Sequence, residues 1–113
     1  MNMKLKVMGL CLLLVSSLCL SVENTMSIDA EEWARPRSGE MIATMPAVRQ
    51  AVTTWMRMKN ADITIRYPGG ETGIIWAQEL RDWLVSLGVE SNALILSVGS
   101  SAEDQLDLII NVR

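Results

Sequence analysis

Beyond residue 40 the apolar positions switch between helical and strand spacing, and each switch marks an element. Val48, Val52, Trp55 and Met56 recur at three-and-four spacing, which predicts a helix with one buried stripe while Arg49, Thr53, Arg57 and Lys59 face water. Thr44 is placed to cap its free amides, Pro46 stands early, where a missing N–H costs nothing, and Lys59-Asn60 ends it. Asp62 to Tyr67 alternates polar and apolar residues, the pattern of a half-buried strand, and Pro68-Gly69-Gly70 stops it. A second helix is predicted from about Gly73 to Leu87, with Trp76, Leu80, Trp83, Leu84 and Leu87 on its apolar side and Gly88 as a left-handed cap. Ala93 to Val98 is an almost continuous apolar run, expected inside the sheet. After the loop Gly99 to Asp104, Leu106 to Val112 reads as a final strand. The expected fold class is α+β: a small two-layer sandwich, with two helices packed on one face of a three- to four-stranded mixed sheet.

The first 40 residues follow another logic. Lys4 and Lys6 precede an apolar run from Val7 to Leu20, and polar Glu23-Asn24-Thr25 follows, the layout of a secretory signal. The run is about 14 residues, short of the roughly 20 that cross a bilayer as a helix. Cleavage after Ser21 puts small residues at both positions that matter, so residues 1–21 are expected to be a signal peptide and the product periplasmic or secreted. Residues 22–40 then read as an irregular leader to a single domain at 41–113. Within the leader, Trp33 is expected to dock on the domain, with Glu31 to Ala34 as a short edge strand.

Export changes the composition that matters. Both cysteines, Cys11 and Cys19, fall in the signal, and Leu10 and Leu18 stand where a lipoprotein signal needs a small residue, so release without a lipid is expected. The mature chain of about 90 residues suits one small domain. Without Lys4 and Lys6, eight basic residues face thirteen acidic ones, a net charge of −5. The basic residues are scattered, which argues against nucleic acid as a partner.

The stretch from Pro46 to Val112 resembles the OmpA-like domain, a periplasmic module that holds peptidoglycan in many envelope proteins. The element order is similar. So is Trp76-Ala77-Gln78-Glu79-Leu80-Arg81-Asp82-Trp83-Leu84-Val85-Ser86-Leu87-Gly88-Val89, which looks like that family's second helix, and Ile63-Thr64-Ile65-Arg66 looks like its preceding strand. The family grips the diaminopimelate carboxylate and amine with an aspartate in a Gly-His-Thr-Asp loop and an arginine opening the helix. Here the loop is the shorter Tyr67-Pro68-Gly69-Gly70-Glu71-Thr72-Gly73, and Trp76 holds the arginine position. The resemblance therefore implies a ligand site only if it has been rebuilt. The candidates are Arg66, Gly69, Gly70, Glu71, Thr72 and Arg81, with Glu71 as the carboxylate and Arg66 or Arg81 as the cation.

Chemistry is narrowed by what is missing. There is no histidine, and no cysteine beyond residue 19, which removes the commonest general base, thiol nucleophile and soft metal ligands. No catalytic residue, metal or cofactor is expected. The Gly69-Gly70-Glu71-Thr72-Gly73 loop lacks the Lys-Ser/Thr of a phosphate loop and reads as a turn. Glu103, Asp104 and Asp107 read as a solvated loop cluster, and Met41, Met45, Met56 and Met58 as packing in a chain without phenylalanine. Two function classes remain: an accessory module that binds an envelope protein, and a peptidoglycan-binding module using the 66–73 loop. The first should show an exposed apolar patch or an unpaired strand edge, the second a cleft where Glu71 and an arginine converge.

Overall fold

The structure, a computed structural model, describes residues 24–35 and 38–113; the expected signal peptide lies outside them. Four strands form one mixed sheet: β1 (Thr25–Asp29), β2 (Ala61–Tyr67), β3 (Leu94–Val98) and β4 (Gln105–Val112), in the order β1-β4-β2-β3. The helices are α1 (Ala30–Trp33), α2 (Gly39–Thr44), α3 (Pro46–Arg57) and α4 (Glu71–Ser86). α3 lies over β1, β4 and β2, and α4 over β2 and β3. Both long helices cover one face, the α+β two-layer sandwich that the apolar spacing predicts.

The alternation of β2 decides which face that is. Ala61, Ile63 and Ile65 are buried beneath the helices together with Leu106, Leu108 and Ile110 of β4. Successive strand residues point to opposite faces, so Thr64 and Arg66 lie on the other side, level with Ile109 and Asp107 of β4. On that side Asn111 donates to the Thr64 hydroxyl at 3.1 Å.

The stretch read as an irregular leader needs correcting. Thr25–Asp29 is a sheet strand, antiparallel to β4 with Ser27 opposite Asp107, and Met26 and Ile28 enter the core. Trp33 is fully buried, but Glu31, Glu32 and Trp33 belong to the helical turn α1 and not to an edge strand. Asp29 starts that turn, its carboxylate accepting from the Glu32 amide at 2.7 Å.

Three smaller expectations also change. Thr44 closes α2, its hydroxyl donating back to the Glu40 carbonyl at 2.9 Å, and Met45 takes the cap position before Pro46. The buried side of α3 is Ala47, Val48 and Ala51, and Met56 is exposed. Trp55 is half-buried at the far end, where its indole N–H donates to the Ala61 carbonyl at 2.8 Å and ties the helix to the start of β2. β3, expected inside the sheet, is an edge strand, because β4 takes the inner place beside β2.

Candidate functional site

The 66–73 loop is shaped by one close approach. A Cβ on Gly73 would overlap the carbonyl oxygen of Pro68, so only glycine lets α4 begin this near the end of β2. Gly70, with φ 98°, precedes the helix in a conformation that side chains disfavour. Pro68 is buried, and the Tyr67 carbonyl accepts from the amides of Gly99 at 2.9 Å and Ser100 at 3.3 Å. The two loops so joined line a shallow depression of ≈ 220 Å³, formed by Pro68, Gly69 and the loop from Gly99 to Glu103.

Asp107 holds the second loop in place. Its carboxylate accepts from the Ser101 amide at 2.6 Å, the Ser101 hydroxyl at 3.1 Å, Gln105 Nε2 at 2.8 Å and the Ser27 hydroxyl at 2.9 Å. It is 4% exposed. Burial pushes its carboxyl up, but the bonds from Gln105, Ser101 and Ser27 together outweigh that and hold it below the usual carboxylate value. Asp107 is thus a structural anion and not part of a solvated cluster, whereas Glu103 and Asp104 are exposed. Among the described residues, no group of three acidic, histidine or cysteine side chains is arranged to hold a metal ion.

The six candidate ligand residues are scattered around this loop. Gly69, Gly70, Glu71 and Thr72 are exposed at the turn into α4. Arg66 is exposed on the sheet face away from the helices. Arg81 is ten residues beyond Glu71 on α4, roughly 15 Å along the axis at 1.5 Å per residue, and its guanidinium lies 3.6 Å from Asp82. The depression beside Gly69 is lined by neither arginine nor by Glu71.

A second surface escaped the sequence reading. β3 has a neighbour on one side only, contains no charge and no proline, and exposes Ile95 (45%) and Val98 (63%). Beside it, the outer side of α4 carries Ile74, Ile75 and Val85, all exposed, in addition to the buried Leu80 and Leu84. This outer side is apolar toward its two ends and polar between them, at Gln78, Arg81 and Asp82. Ile74-Ile75, off the buried stripe, was the sequence signal for this. Between α4 and the edge, Gln78, Arg81, Asp82 and Leu96 surround an open depression of ≈ 420 Å³.

Among the described residues no helix is long and apolar enough to cross a membrane. Comparison with protein-family models, with characterised proteins and with solved structures finds no match for the chain.

Proposed function

We propose that this chain is a non-enzymatic exported protein of a bacterial envelope, in which an OmpA-like scaffold acts as a protein-interaction module. The observation that carries this reading is the uncharged, unpaired edge of β3 beside the exposed Ile74, Ile75 and Val85 of α4. Monomeric proteins usually guard such an edge with lysine, proline or a bulge, and an unguarded one is a template for another chain. With the short helices α1 and α2 set aside, the β-α-β-α-β-β element order supports the scaffold assignment, as does the 76–89 segment, in which α4 ends at Ser86 and Gly88 follows at φ 107°.

Peptidoglycan binding is the weaker reading because it needs a carboxylate and a cation in one cleft. Glu71 and Arg81 are too far apart along α4 to share a small ligand, and Arg66 faces the other side of the sheet. The test pairs two measurements on the exported protein. In a pull-down on insoluble peptidoglycan, the protein and its Glu71→Ala variant should both stay in the supernatant while an OmpA-like domain with the family's aspartate and arginine sediments. A photo-crosslinking residue at Ser97 should capture protein in the intact envelope, and one at exposed Thr53 on α3 should not. Retention on peptidoglycan that Glu71→Ala abolishes would reverse the choice.

A further inference from the structure

We infer that the partner of the β3 edge is a second copy of this chain, joined across a two-fold axis through Leu96. The inference rests on the interaction-module reading and specifies its occupant. A two-fold axis normal to the sheet pairs two edge strands antiparallel and extends the sheet from four strands to eight. Centred on Leu96, it sets Leu94 opposite Val98, Ile95 opposite Ser97, and Leu96 opposite itself. None of the five residues is charged, so no like charges face each other across the new ladder.

The helices make the argument independent of the strands. At about 100° per residue, Ile74, Ile75, Gln78, Arg81, Asp82 and Val85 fall within about 60° of one line along α4. Gln78, Arg81 and Asp82, in the middle of that line, lie next to Leu96, so the middle of the stripe is level with the middle of β3. The axis that pairs the strands therefore lays the two α4 helices side by side and antiparallel. Their apolar ends then meet, Ile74 and Ile75 of one copy against Val85 of the other. At the centre, Arg81 of each copy falls between Gln78 and Asp82 of the other, where the 3.6 Å ion pair within each chain is exchanged for one to its partner. Each copy offers the same patch, as a two-fold interface requires. A five-residue ladder and one helix pair lie at the small end of specific interfaces, about 1,200 Å² in total, so the dimer forms and dissociates with concentration.

Sedimentation velocity on the protein purified after export tests this. From low to high micromolar concentration, a monomer should give way to a species of twice the mass. Ile95→Lys should raise the dissociation constant about tenfold or more. Asp82→Arg and Arg81→Asp should each be monomeric alone, since both copies then carry the same charge at the centre, and should form a mixed dimer when combined. Both sites are on the surface, and restored pairing in the mixture shows that each variant is folded. A protein monomeric at every concentration overturns the inference, as does a dimer indifferent to all three substitutions. If self-association fails while crosslinks at Ser97 capture a different protein, the interaction-module reading stands. If both fail, it falls as well.

Discussion

Gly73 stands where the first turn of α4 crosses Pro68 so closely that a side chain has no room. Any Cβ there meets backbone, which cannot swing aside as the end of a flexible side chain can. Gly73→Ala should therefore cost about 3 kcal/mol, at the upper end of overpacking penalties, whereas Gly69→Ala, with nothing near its Cβ, should stay within about 0.5 kcal/mol of the parent. Urea denaturation of the two variants checks both figures. Asp107 makes a different prediction, about pH. Its folded carboxyl titrates below its ordinary value of 3.8, so its contribution to stability is complete above that value and is lost as the pH falls through the folded value. Unfolding midpoints followed into acid should decline over that window, and the decline should be shallower in Asp107→Asn. At neutral pH the same substitution should cost about 1 to 3 kcal/mol, because asparagine keeps an oxygen for the donors on Oδ1 but loses the charge and turns an amide N–H donor toward the Ser101 amide.

Elements with a strong local pattern were legible in the sequence, and those whose role depends on a distant partner were not. β2, α4 and β4 lie within two residues of where their spacing predicts them, because each carries enough alternation or stripe to define a buried face. β1 has only Met26 and Ile28 to show, directly after the expected signal peptide, and its pairing with β4 leaves no mark on its own residues. β3 misled for the opposite reason. A run apolar on both faces reads as an inner strand, but here helices cover only one face, Ile95 is exposed on the other, and β4 holds the inner place beside β2. The loop candidates were chosen by residue type, and type carries no distance: helix pitch separates Glu71 from Arg81, and strand parity puts Arg66 on the other face of the sheet. The importance of β1 and α1 is open to test. Trp33→Ala should cost about 3 to 5 kcal/mol, and a chain beginning at Ser38 should lose cooperative unfolding, which circular dichroism during urea titration would show.

At the scale of the whole molecule, the proposed pairing assigns stability and association to different residues. Ile74, Ile75 and Val85 are exposed, so changing all three to serine should lower the thermal midpoint of dilute protein by no more than about 10 °C, each substitution being worth about 0.5 kcal/mol or less. The same triple variant should sediment as a monomer at concentrations where the parent pairs. If the midpoint fell by the amount expected of core residues, α4 would be using this side within its own fold.

The strand that unites the sheet is also the last one in sequence. β1 and β2 both pair with β4, and the bond from Ser27 to Asp107 closes a span of 80 residues. Contacts that distant are slow to form, because the loop must be closed before anything is gained. Until Gln105–Val112 has emerged, β1 has no neighbour and β2 has only an edge strand beside it. A chain threaded out of the cytoplasm in the proposed way would pass with β1 and β2 unjoined, and its sheet would close only once Gln105–Val112 had followed them.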